Sequence, residues 1–193
     1  MTTRSSDGLR VFLRAMMANP KRVGAVLPSG APLARLMASH VPLNDDGPVL
    51  EIGAGTGVVT AALIDAGLPP ERLFVLELDA RLHRFLRDNF PGATVLRGDA
   101  ARMHRLVPPH LVGKVSNIVS SLPLRAMDKA TQRAIVDSAF EVLKPGGSLI
   151  QYTYPPLSPL PHRAFGLKAQ RLGRIWLNVP PAAVWRFTKP GRA

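Results

Sequence analysis

Residues 49–57 read Val49-Leu50-Glu51-Ile52-Gly53-Ala54-Gly55-Thr56-Gly57, and this stretch decides the fold. A short apolar run ending beside an acid is a buried strand, and the glycine-rich turn after it leads into a helix from about Val58 to Ala66. Alternate glycines let the backbone approach a ligand closely, with a helix N-terminus beside it. A dinucleotide fingerprint spaces its last two glycines further apart to seat a pyrophosphate. Here the turn is tighter, and Glu51 at the strand end would repel phosphate but suits an ammonium group.

Working outward, the same texture repeats. Leu73–Leu76 reads as a second strand, followed by a helix from Arg81 to about Asn89; Thr94–Leu96 and Val115–Val119 read as the third and fourth. A long helix, Ala130–Leu143, is ended by Lys144-Pro145-Gly146-Gly147, and Ser148–Tyr152 is the fifth strand. Strands separated by helices of this size predict an α/β fold with a parallel sheet covered on both faces. Upstream, Ser29 is placed to cap a helix running to about His40. In the tail, four prolines within residues 155–161 exclude a regular element, and Ile175–Val179 and Ala183–Phe187, joined at Pro180-Pro181, read as an antiparallel hairpin closing the sheet.

The 193 residues suffice for one domain of ordinary size. Cysteine is absent, which removes a disulfide framework, a thiolate metal site and a cysteine nucleophile together. No metal site is expected. Lys+Arg 25 against Asp+Glu 13 leaves +12, an excess that attracts nucleic acid or an anionic membrane surface equally. No run approaches the ~20 apolar residues of a membrane span, and no signal-peptide core is visible, so any membrane role is exercised from the surface. Leu9, Phe12, Leu13, Met16 and Met17 form one apolar stripe on a helix flanked by Arg10 and Arg14, with Lys21 and Arg22 in the loop beyond. Such a helix packs on its own core or lies in an interface. The basic residues favour the interface, where each adds ~1 kcal/mol on an anionic leaflet. Residues 1–27 are therefore read as a membrane-docking helix and loop, and 28–193 as the α/β domain.

Glu51 is the first of three acids at strand ends, with Glu77 and Asp99. Glu77 lies 20 residues after Gly57, where a nucleoside site places the acceptor of ribose hydroxyls. Asp79, before Ala80-Arg81-Leu82, reads as a helix cap. Asp99, in Gly98-Asp99-Ala100, can accept an adenine amino group or serve as another cap. The only tyrosines, Tyr152 and Tyr154, fall at i and i+2 on one strand end and so on one side. Such a pair can hold an ammonium by cation–π attraction; the alternative is a pair of ordinary strand residues with buried rings. The five histidines, His40, His83, His104, His110 and His162, match no motif for a general base.

In this order and at these strand ends, the motifs resemble those of class I S-adenosylmethionine-dependent methyltransferases over about residues 28–187. The resemblance implies a Rossmann-like, seven-stranded, mostly parallel sheet with a C-terminal antiparallel hairpin. It implies S-adenosylmethionine held by Glu51, Gly53, Gly55, Gly57, Glu77, Leu78, Asp99, Ala100 and Ser120, and release of S-adenosylhomocysteine. Two families share this series. The rRNA adenine dimethylases carry Asn-Leu-Pro-Tyr or close to it after the fourth strand, where the aromatic stacks on a flipped base. This chain has Ser121-Leu122-Pro123-Leu124, which keeps the proline and loses the ring, and no added RNA-binding domain is expected after Ala193. The N-terminal helix, Gly24-Ala25-Val26-Leu27-Pro28-Ser29, Ser121-Leu122-Pro123-Leu124, Tyr152-Thr153-Tyr154-Pro155-Pro156 and Asn178-Val179-Pro180-Pro181-Ala182-Ala183-Val184-Trp185 resemble the small bacterial phosphatidylethanolamine N-methyltransferases nearly end to end. That resemblance implies stepwise methylation of the lipid amine to phosphatidylcholine, with Pro123, Tyr152 and Tyr154 at the reacting amine. Phe12, Arg10, Arg14, Lys21, Arg22, Ser121, Leu122 and Arg163 would meet substrate or membrane. The expected partners are the phospholipid and an anionic membrane surface at the cytoplasmic face, with no nucleic acid and no obligate protein partner.

Overall fold

The computed structural model describes residues 30–154, 158–176 and 181–190. In chain order the elements are α1 (Gly30–Ala38), β1 (Val49–Ile52), α2 (Val58–Asp65), β2 (Leu73–Glu77), α3 (Ala80–Asn89), β3 (Thr94–Arg97), α4 (Met103–Leu106), β4 (Val115–Ser120), α5 (Lys129–Val142), β5 (Leu143–Thr153), β6 (Lys168–Ile175) and β7 (Ala182–Thr188). They build a seven-stranded sheet in the order β3-β2-β1-β4-β5-β7-β6. The first five strands are parallel to their neighbours; β7 pairs antiparallel with both β5 and β6.

Alternation along the strands splits the core in two. Val49, Val75, Val119 and Ile150 pack on one face with α1 and α2, through Leu33, Met37, Val59 and Leu63. Leu50, Ile52, Leu76, Ile118 and Leu149 pack on the other with α4 and α5, through Met103, Ile135 and Ala139. β1 is wholly buried, as a central strand covered on both faces must be.

Three boundaries differ from the sequence reading. Helix α5 stops at Val142, and Leu143 is already extended and paired with Val115, so the strand begins before Lys144-Pro145-Gly146-Gly147 rather than after it. Pairing resumes at Asn117 with Ser148; the four residues oppose a single one and bulge from the ladder. The first strand of the closing hairpin is Lys168–Ile175: it ends where the sequence reading began it, because Leu172 bulges from the ladder between Arg171 and Gly173 and interrupts the alternation that marks a strand. The segment read as membrane-docking, with Phe12, Arg10, Arg14, Lys21 and Arg22, lies outside the described residues, as do the Ser29 cap, Pro155 to Leu157 and Asn178 to Pro180.

The register lines up the carboxyl ends of the strands. Ile52 pairs with Leu76 and Ser120, and Ser120 with Gln151. One step further along the chain, Glu77, Gly53, Ser121 and Tyr152 form the next row. Loops at this edge are where open α/β sheets bind ligands.

Candidate active site

Glu51, next to last in β1, faces the α2 side and is fully buried. The Thr60 hydroxyl donates to its Oε2 at 2.6 Å, while Oε1 is buried without a hydrogen-bond partner among the described residues. Burial pushes the carboxyl up to about 7; the Thr60 hydrogen bond opposes that, and the charge of Glu77 adds to it. A desolvated acid with one orphaned oxygen is poised for a cation.

Each glycine of the turn has its own reason. Gly53, Gly55 and Gly57 all have positive φ, at 72°, 59° and 80°. A Cβ on Gly53 would stand 2.5 Å from Leu122 Cδ2, and one on Gly57 would stand 2.5 Å from Phe90 Cε2. Among the described residues, nothing lies within 4 Å of where a Cβ on Gly55 would point. Gly53 and Gly57 thus admit protein neighbours, whereas Gly55 faces open space that a ligand can enter.

Glu77 braces this turn. The Gly55 N–H donates to its Oε2 and the Asp79 N–H to its Oε1, both at 2.9 Å. Each carboxylate oxygen keeps acceptor capacity for a hydroxyl. Leu78 beside it is 59% exposed, a large apolar surface that an aromatic base can cover. Asp79 caps α3, accepting from the Arg81 and Leu82 N–H groups. Asp99 also acts as a cap, its Oδ1 accepting from the Ala101 N–H at 2.9 Å, so the alternative role holds for one of its oxygens. Ala100 and Ser120 are buried, and Ser120 Oγ accepts a long bond from the Leu122 N–H.

These features fit S-adenosylmethionine. The orphaned Glu51 oxygen suits the ammonium of its methionine portion, Glu77 suits the ribose hydroxyls, and the space at Gly55 lets the turn approach it. Among the described residues, no group of three or more acids and histidines could hold a metal ion.

In the segment after β4, expected from the sequence to meet the acceptor, Ser121 donates its N–H to the Ile52 carbonyl, and Pro123 O accepts from the Ala126 N–H at 2.9 Å, leaving one lone pair. Leu122 presses on Gly53 and so ties this segment to the glycine turn. Leu124 is 1% exposed and belongs to the core on the α5 side, so its position offers no surface to an incoming base. Tyr152 and Tyr154 come together, ring centroids 5.7 Å apart and edge-to-face. Tyr154 is exposed; Tyr152 is partly buried, and that burial with the neighbouring Tyr154 pushes its hydroxyl up to about 12. It stays protonated at physiological pH. Arg163 is exposed, on the loop leading to β6.

Sequence reasoning missed the supports. Thr60 holds Glu51 from the first turn of α2, and a polar residue there on an otherwise apolar helix was the available signal. Gln151 Nε2 donates to the Leu122 carbonyl, and Gln132 Nε2 to the carbonyls of Leu124 and Met127. No local pattern announces either glutamine: the partner of Gln151 lies 29 residues away, and those of Gln132 lie across the start of α5, outside helical spacing.

Residues 49–147 match the family described as methyltransferase domain. The chain is 29% identical over 149 residues to an ornithine lipid N-methyltransferase of Singulisphaera acidiphila, covering 76% of this chain and 78% of that protein. It is 31% identical over 83 residues to a ribosomal RNA small subunit methyltransferase A of Chlorobium phaeobacteroides, covering 43% of this chain and 30% of that one. Its fold superposes on a TehB-like SAM-dependent methyltransferase of Corynebacterium glutamicum with TM-score 0.65 and 17% identity, over 94% of this chain and 100% of the other. With the glycine turn, its two acids and this sheet order, the chain belongs to the methyltransferase-domain family and is a class I S-adenosylmethionine-dependent methyltransferase.

Proposed function

We propose that the protein is a phospholipid N-methyltransferase, carrying methyl groups from S-adenosylmethionine to the amine of phosphatidylethanolamine and its mono- and dimethyl derivatives, towards phosphatidylcholine. The observation that carries this reading is the Tyr152–Tyr154 pair: Tyr152 shares a row with Gly53 and Ser121, and so stands beside Ser121-Leu122-Pro123. An aromatic corner attracts an ammonium and continues to do so as methyls replace its protons, which a carboxylate-based grip would not do equally at every step. Similarity to an ornithine lipid N-methyltransferase supports the wider class, an amine on a membrane lipid.

When bound, S-adenosylmethionine supplies an electrophilic methyl group. This chain's residues then have one main task, to place an unprotonated amine in line with it. Pro123 retains a carbonyl lone pair for an amine N–H, and the two rings hold the nitrogen as positive charge develops on it. Tyr152, held protonated, orders the amine without removing its proton. The proton leaves to water or to the lipid's own phosphate. The protein would work from the cytoplasmic face of the membrane; no helix among the described residues is long and apolar enough to cross it.

Incubation with methyl-labelled S-adenosylmethionine and, separately, vesicles containing phosphatidylethanolamine, vesicles containing ornithine lipid, and ribosomal RNA tests the reading. Label in phosphatidylethanolamine is the expected result. Label in ornithine lipid alone would move the substrate within the lipid class. Label in RNA and in neither lipid would end the reading.

A further inference from the structure

A second feature stands beside the acceptor segment and is used by nothing described so far. A cavity of about 570 Å³ opens between the turn after Pro123, the start of α5 and the loop 158–164, and its walls carry Arg125, Lys129, His162 and Arg163. No acid lines it. Among the described residues, no carboxylate lies within ion-pair distance of Arg125, Lys129 or Arg163. The nearby acids are engaged elsewhere, Asp128 with Thr131 and Asp137 with Arg133. The opposite wall is Pro159, Leu160 and Pro161, of which Pro159 and Leu160 are buried. Three like charges beside an apolar wall repel one another and focus a positive potential into the cavity, an arrangement that an anion relieves.

Its position is held firmly to the acceptor segment. Arg125 sits in the single turn Leu124–Ala126, immediately after Pro123. Gln132, from the cavity floor, donates to the carbonyls at both ends of that turn, those of Leu124 and Met127. A molecule with its nitrogen at Pro123 and the tyrosines can therefore extend an acidic group towards the guanidinium of Arg125.

We propose that this cavity is the subsite for the anionic group of the acceptor's headgroup, and that Arg125, Lys129 and Arg163 select amines carrying a nearby phosphate or carboxylate. The inference rests on the lipid-amine reading and adds what recognises the headgroup. A phosphodiester lies a short carbon chain from the amine in phosphatidylethanolamine; a carboxylate lies near the amine in an ornithine headgroup. Both present the same chemistry, a cationic nitrogen tethered to an anion, and bidentate arginine contacts serve either.

The test uses the full chain with short-chain, monomeric dihexanoyl phosphatidylethanolamine, so that vesicle surface charge plays no part. Arg125→Gln and Arg163→Gln should each raise KM about tenfold or more, the loss expected for one charge-assisted hydrogen bond, with kcat moving less than KM. Arg125→Lys should recover part of the loss. Lys168→Gln, a change of equal charge on the edge strand β6, should leave KM within about twofold. Unchanged KM in both arginine variants, or an equal rise in Lys168→Gln, would overturn the proposal. Ornithine lipid in a parallel arm separates carboxylate from phosphate as the group bound. If the wild type methylates neither lipid, the lipid reading itself fails, and calorimetry with glycerophosphoethanolamine still decides the cavity. Binding that disappears in Arg125→Gln supports the anion subsite. No binding by the wild type, or binding no tighter than that of inorganic phosphate alone, overturns it.

Discussion

Replacing Glu51 by glutamine isolates the burial of one carboxylate. In the protein without S-adenosylmethionine, that group's acidity moves from an ordinary value of 4.5 to about 7. Below pH 4.5 the carboxyl is protonated in both the folded and the unfolded chain, and its burial carries no charge penalty. As pH rises towards 7, the unfolded chain ionises while the folded one still holds its proton, so stability falls; above about 7 the loss is complete. At roughly 1.4 kcal/mol for each tenfold change, the gap corresponds to about 3 kcal/mol. For a domain of this size that is about 6–12 °C in Tm. Glu51→Gln keeps the shape and can still accept from the Thr60 hydroxyl, but does not ionise. Thermal unfolding without ligand should therefore show the two proteins nearly equal at about pH 4 and the variant more stable by that margin at about pH 8.5. Groups that titrate in both proteins cancel in the difference. Binding of S-adenosylmethionine should run the opposite way. In the wild type its ammonium favours ionised Glu51, so affinity rises with pH up to about 7 and a proton is released on binding below that; the variant should bind more weakly with little pH dependence. Calorimetry in buffers of different ionisation enthalpy reads the released proton. Parallel stability curves across this range would refute the picture of a desolvated, ammonium-seeking acid.

Two of the turn glycines should separate folding from ligand binding. Gly53→Ala meets both a φ of +72° and Leu122 at 2.5 Å, and should cost about 2 kcal/mol or more in urea unfolding. Gly55→Ala meets only its φ, should cost about 1 kcal/mol, and should lose S-adenosylmethionine affinity out of proportion to that. At the aromatic corner, Tyr152→Phe and Tyr154→Phe should keep most of kcat while the alanine variants lose it; near-normal alanine variants would dismiss cation–π holding. Gln132→Leu should destabilise by about 1–3 kcal/mol, because the Leu124 carbonyl loses its side-chain donor in a buried place. It should also slow methyl transfer through the displaced Pro123 segment, a loss visible in kcat at saturating S-adenosylmethionine.

The legible part of this protein was its periodicity and its punctuation. A buried strand, a glycine turn and a helix occur together in residues 49–65, so local sterics and alternation suffice to read them, and the same holds for β2 with α3 and for the Asp79 cap. The acids Glu51 and Glu77 were legible for the same reason: each stands at the end of its own strand. Less legible was whatever depends on a neighbour far along the chain. Edge strand β6 carries no regular apolar alternation because Leu172 bulges and shifts its register, and only pairing with β7 reveals it. The roles of Gly53, Gly55 and Gly57 look alike in sequence, yet Leu122 and Phe90 claim two of them and leave only Gly55 open to a ligand. The unusual acidity of Glu51 likewise arises from desolvation by the packed α2 face, which a strand-end glutamate does not declare by itself. Sequence alone thus determined which chemistry stands at the ends of the strands. Only the tertiary structure decided which of those groups are buried, which are braced, and which cations gather at the acceptor's edge, because burial and contact are set by distances between residues that the chain's order does not contain.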